Sequence, residues 1–195
     1  MTDPAGATRI APLEPPYEPE VETLLARWMP PGSGLEPLAL FRVLGRHAEL
    51  ASRARPLGAG ILGHGLVAPR LREVMIHRTC SLTGAEYEWG VHAVAFGRPL
   101  GLTDEQLAAT VHGTPEDPVW SDDERAVLRL ADELHATSTV SDALFTDLAA
   151  RFGAEQVIEL CLTAGWYHAI AYVIGAARIP PEPWAARFPE PAPAP

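Results

Sequence analysis

From Leu35 to Ile179 apolar residues recur with the period of an α-helix, interrupted by Pro or Gly, and no run alternates apolar and polar residues as a half-buried strand would. A body of this kind buries its apolar stripes by packing helix on helix, so the expected fold class is all-α. Many of the 20 prolines lie instead in APLEPPYEP near the start and IPPEPWAARFPEPAPAP at the finish. There the fixed φ and the missing N–H disfavour both helix and sheet. The expected organisation is a proline-rich N-terminal arm with a short helix over residues 1–34, a helical domain over 35–179, and a proline-rich tail over 180–195.

Several helix boundaries are written locally. Thr103 and Ser121 are each followed three residues on by Gln106 and Glu124, the pattern of a reciprocal capping box. Ser141 and Asp142 begin a segment that stops near Phe152, and Gly153 leads into the long apolar stretch. Pro69 suits the first turn of a helix through Glu73 and His77 that Thr83 and Gly84 end. A further helix runs through Tyr87, Glu88 and His92 until Gly97 and Pro99 break it. A helical hairpin near the middle of the chain results.

Composition removes several functions. The formal net charge is −10, and all 15 basic residues are arginine. The acidic balance gives no electrostatic grip on nucleic acid or an anionic membrane. The lack of lysine rules out Schiff-base chemistry and the lysine of a P-loop. Cys80 and Cys161 are too far apart in sequence for a Cys-x-x-Cys site, which points to a reducing, cytoplasmic setting. The longest apolar window, Val157 to Ile179, contains Glu159 and His168 and reads as a buried core helix of a soluble protein.

The segment from Glu73 to His92 concentrates ionisable groups within apolar helices. Glu73 and His77 are four apart, as are Glu88 and His92, so each carboxylate can reach its imidazole across one helical turn. A buried carboxylate beside histidine orients the ring and raises its proton affinity, which suits acid-base work near neutral pH. A metal site is the weaker alternative, because the spacing is neither that of a zinc helix nor that of a di-iron bundle. Cys80 and Cys161 read as small packing thiols. His64, between Gly63 and Gly65, either lines a pocket or faces solvent. Trp166, Tyr167, His168 and Tyr172 read as aromatic core or subunit interface.

Arg72-Glu73, Thr83-Gly84-Ala85-Glu86-Tyr87-Glu88-Trp89, His92 and Gly101-Leu102-Thr103-Asp104-Glu105 together resemble the carboxymuconolactone decarboxylase family and its relative alkylhydroperoxidase D. The resemblance covers roughly Leu38 to Ala177. It implies an alkylhydroperoxidase D-like helical bundle and a homo-oligomer, trimeric or hexameric. Redox members carry a glutamate, a downstream Cys-x-x-Cys, and a histidine one turn after the second cysteine. Glu73 and His92 fall on the glutamate and histidine, while Ala85 and Glu88 stand at the cysteine positions, so no dithiol forms there. The decarboxylase branch likewise lacks the dithiol and presents a glutamate one turn before a histidine.

The expected catalytic residues are therefore His92 as proton carrier, Glu88 as its orienter and Glu73 completing a relay. Tyr87, His77, Cys80 and His64 are expected at the substrate. The proximity of Glu73 to His92 rests on the resemblance, since spacing alone does not bring them together. The expected function is decarboxylation or isomerisation of a small organic acid or lactone, with no cofactor and no metal. A peroxidase using Cys80 and a non-catalytic oligomeric ligand-binding protein are the alternatives.

Overall fold

The computed structural model describes residues 7–29 and 36–191, in which nine α-helices and no strand are found. The expected boundary between residues 34 and 35 lies outside the described residues. In chain order the helices are α1 (Pro19–Trp28), α2 (Ala39–Leu44), α3 (Ala48–Gly63), α4 (Pro69–Leu82), α5 (Glu86–His92), α6 (Asp104–His112), α7 (Asp122–Thr137), α8 (Asp142–Arg151) and α9 (Ala154–Ala177).

Helix α4 is the axis of the molecule and packs against α5, α6, α7 and α9. Pro69 stands in its first turn, where the missing N–H costs nothing. Eight of its residues are buried, from Arg72 to Cys80, so it has neighbours on nearly every side and little amphipathic contrast. It closes at Gly84, whose φ of +67° suits a residue without Cβ. The backbone N–H groups of Gly84 and Ala85 then cap the carbonyls of Ser81 and Cys80 at 3.0 and 2.8 Å.

The caps of α6 and α7 form as the sequence indicates, with Thr103–Gln106 and Ser121–Glu124 bonding reciprocally. Helix α9 is long and apolar enough to cross a bilayer by length and composition alone. In the fold it is a core helix, and Leu160, Ala164, Tyr167, Ala171 and Ile174 form a buried stripe at helical spacing.

The helix after the turn differs from expectation. It is α-helical only to His92, and Ala93–Gly97 continue as one π-helical turn. The N–H of Arg98 bonds to the carbonyl of Ala93, and that of Leu102 to Gly97. His77 fills the space beside this turn, for a Cβ on Gly97 would lie 3.0 Å from its Cε1. A wider turn at a functional segment is a recurring device for redirecting side chains.

The proline-rich tail lies along α5. Glu182 Oε1 accepts from the Tyr87 hydroxyl and from Ala39 N, both at 2.6 Å. Ala186 N donates to Gly90 O at 3.2 Å, Phe188 N to Glu86 Oε1 at 2.9 Å, and the Phe188 ring packs on Trp89.

Candidate functional site

The hairpin of α4 and α5 carries Glu73 and His92 on facing sides, and α9 closes over them with Tyr167. His92 Nδ1 donates to Glu73 Oε2 at 2.8 Å. The other Glu73 oxygen accepts from the Arg72 guanidinium, Nε and a terminal nitrogen each at 3.3 Å. On the far side of the ring, His92 Nε2 faces the Tyr167 hydroxyl at 3.1 Å and Glu88 Oε1 at 3.5 Å. The Phe96 ring, in the π-helical turn, stacks on the imidazole. Glu73 is 0%, His92 3% and Glu88 8% exposed.

This geometry redistributes the expected roles. The group that bonds His92 Nδ1 is Glu73, and Glu88 sits beside Nε2. The expected side-chain pair of Glu73 with His77 does not form. His77 Nδ1 donates instead to the Glu73 backbone carbonyl at 2.7 Å, because the Glu73 carboxylate is occupied by His92 and Arg72. Two buried polar atoms are left without a protein partner here, His77 Nε2 and Glu88 Oε2. An unsatisfied buried acceptor costs about 1–3 kcal/mol, and native proteins keep few of them.

Burial by itself lowers the proton affinity of His92, but the Glu73 charge and hydrogen bonds from Glu73 and Glu88 outweigh it and raise its pKa to about 9. Burial likewise raises the Glu73 carboxyl, and His92, then His77 and Arg72, more than offset that, holding it below the usual range. His77 goes the other way. Its burial dominates the attraction of Glu73 and lowers its pKa to about 4. Two imidazoles 6.3 Å apart thus have opposed protonation, His92 charged and His77 neutral at neutral pH. With Nδ1 donating, the unpartnered His77 Nε2 is an acceptor.

The remaining sequence candidates divide. Cys80 is fully buried in α4, and burial followed by the Glu88 and Glu73 charges pushes its thiol well above the ordinary value. Tyr87 is buried, but its hydroxyl is engaged by Glu182 and by Leu40 N at 3.1 Å. His64 is exposed at the C-terminal end of α3. Tyr167, expected as aromatic core or subunit interface, turns its hydroxyl to His92 Nε2; its helical spacing in an apolar stretch is the same as that of a packing residue. Among the described residues, no group of three or more His, Cys, Asp or Glu side chains is arranged to hold a metal ion.

No protein-family model matches the chain. Its fold is the alkylhydroperoxidase D-like helical fold. An uncharacterised peroxidase-related protein from Silicibacter matches with a TM-score of 0.78 at 17% identity, over 97% of this chain and 100% of that one. The debrominase Bmp8 in complex with 2,3,4-tribromopyrrole matches with a TM-score of 0.74 at 18% identity, over 91% and 94% of the two chains. In sequence, the uncharacterised Escherichia coli protein YnjA is 31% identical over 113 residues, 57% of this chain. The match spans 61% of YnjA, less than two thirds of its length.

Proposed function

We propose that the protein is a carboxymuconolactone decarboxylase-like enzyme in which Glu73 and His92 perform acid-base chemistry on a small lactone or organic acid, by decarboxylation or isomerisation. The observation that carries this reading is the buried 2.8 Å pair of Glu73 Oε2 and His92 Nδ1, with Nε2 left facing Glu88 and Tyr167. Glu73 fixes the tautomer and stabilises the imidazolium. Nε2–H then delivers a proton to the substrate, or Nε2 removes one after the ring is discharged. Loss of CO2 leaves its electron pair on the substrate's own unsaturated carbonyl, and His92 supplies the proton at the carbon or oxygen that receives it.

Glu88 Oε2 is buried and lacks a donor, which suits a substrate bearing a hydroxyl or enol. A further carboxylate placed beside Glu88 and Glu73 is disfavoured by like charge, so a lactone or acid carrying no carboxylate beyond the one that is lost fits better than a dianion. The complex of Bmp8 with a brominated pyrrole supports the capacity of such a fold to hold a small unsaturated ring. The protein is further proposed to act as a cytoplasmic homo-oligomer without a cofactor. Ile158 and Leu162 of α9 present exposed apolar surface for subunit contact, and both cysteines are free thiols.

The name of the Silicibacter neighbour favours a second reading, peroxide reduction through Cys80. A fully buried thiol whose ionisation is opposed by burial and by two carboxylates is a poor peroxidatic group. The test is turnover of a panel of unsaturated lactones and keto acids by wild type, His92→Gln and Cys80→Ser, with peroxide consumption measured in parallel. The proposal expects lactone or keto-acid turnover lost in His92→Gln and kept in Cys80→Ser. Peroxide consumption that vanishes in Cys80→Ser contradicts it.

A further inference from the structure

Between α7 and α9, at the C-terminal end of α4, lies a cleft of about 590 Å³ lined in part by Ser138, Cys161, His135, His168 and Tyr172. None of the relay residues lines it. Two imidazoles meet there, with His135 Nδ1 3.1 Å from His168 Nε2. The other nitrogen of His168, Nδ1, donates to the Ala164 carbonyl at 3.0 Å. That bond fixes the tautomer and leaves the Nε2 lone pair aimed at His135.

A histidine held through one nitrogen by a backbone carbonyl, with the other nitrogen presented to a cleft, is the arrangement by which metal-ligating imidazoles are oriented. The distance fits as well. Two nitrogens each ~2.1 Å from one ion and 3.1 Å apart subtend roughly 95° at it, the angle of neighbouring ligands. We propose that His135 and His168 form a chelating pair for a divalent ion of the zinc class, independent of the acid-base site. The two imidazoles supply nitrogen donors, which suit zinc, nickel and copper and not magnesium or calcium. The protein supplies two ligands only, and water from the cleft fills the other positions. The ion replaces the hydrogen bond between the rings: His168 keeps its bond to the Ala164 carbonyl, and the exposed His135 side chain swings aside to bring its own lone pair onto the ion. The net charge of −10 favours accumulation of a cation.

The experiment is calorimetric titration of the metal-stripped full chain with Zn(II) at neutral pH, accompanied by imidazole NMR. Wild type is expected to bind one ion per chain, with the His135 and His168 ring signals shifting. His135→Phe and His168→Gln are each expected to weaken binding at least about ten-fold, the minimum that disturbing a ligand's surroundings costs. His64→Gln, which alters an exposed histidine elsewhere, is expected to bind as wild type does. Both variants lie outside the acid-base cluster, so folding is checked by an unchanged His92 ring signal. Absence of binding in wild type, or equal affinity in folded His135→Phe and His168→Gln, overturns the proposal.

Discussion

Glu73 and His92, nineteen residues apart and on different helices, meet through a 2.8 Å hydrogen bond with both side chains almost wholly buried. The pair is closed by Arg72 behind the carboxylate and by Tyr167 beyond the imidazole. Breaking one partner leaves an uncompensated buried charge, which costs more than the pair contributes. The pair therefore couples the protonation of His92 to the stability of the fold.

Removing the Tyr167 hydroxyl tests the far side of the ring. Tyr167→Phe keeps the ring and its edge contact with His92 but deletes the 3.1 Å hydrogen bond. The expected loss of stability is about 0.5–1.5 kcal/mol. Once a substrate is in hand, kcat should fall more than KM rises, because the hydroxyl positions Nε2. Unchanged kcat would show that Tyr167 only packs.

Stability should depend on pH with opposite signs at the two buried histidines. His92 has its folded pKa raised from an ordinary 6.5 to about 9, so its contribution is complete below 6.5 and is lost as pH rises toward 9. His77 is lowered from 6.5 to about 4, so its contribution is complete above 6.5 and is lost as pH falls toward 4. Denaturant unfolding from pH 4 to 9 should show both declines. His77→Asn, whose amide can replace the Nδ1 donor, should flatten the acid limb and leave the alkaline limb in place.

The tail should matter to α5. A Cβ on Gly90 would sit 2.0 Å from the Ala186 carbonyl oxygen. Gly90→Ala is expected to push residues near Ala186 off the helix and to destabilise the protein by about 1–3 kcal/mol, the ordinary cost of overpacking. Faster proteolysis within residues 182–191 is the accompanying readout. A variant with wild-type Tm and an equally resistant tail would show the contact to be unimportant.

Glu182 holds Tyr87 and the start of α2 at once, through two 2.6 Å hydrogen bonds to one oxygen. Glu182→Gln should lower Tm while leaving the His92 titration unmoved, since Glu182 makes no bond to the relay. A shift in that titration would mean that the tail sets the geometry of the site as well as the stability of the helix.

Much of this architecture was legible locally. Thr103, Ser121, Ser141, Pro69 and Gly84 act on their own helix ends, so their meaning is carried by a few neighbouring residues. The all-α class followed from periodicity for the same reason. The site was legible only in part. Glu88 and His92 share one helix face and could be paired by counting, whereas the Glu73 contact depends on how two helices rotate about Gly84. Tyr167 comes from α9, seventy-five residues beyond His92, and nothing in an apolar stretch marks which aromatic turns its hydroxyl toward a histidine. The π-helical turn after His92 and the docking of the tail on Gly90 are likewise decided by packing from elsewhere in the chain.

The central claim is that Glu73 makes His92 a strongly proton-holding imidazole inside the fold. Its most direct test is an NMR titration of the His92 ring in wild type and in Glu73→Gln. The account predicts that wild-type His92 stays protonated through neutral pH and titrates at about 9, and that Glu73→Gln moves this downward. A ring that titrates at or below 6.5 in the wild type, indifferent to the loss of the Glu73 charge, would contradict it.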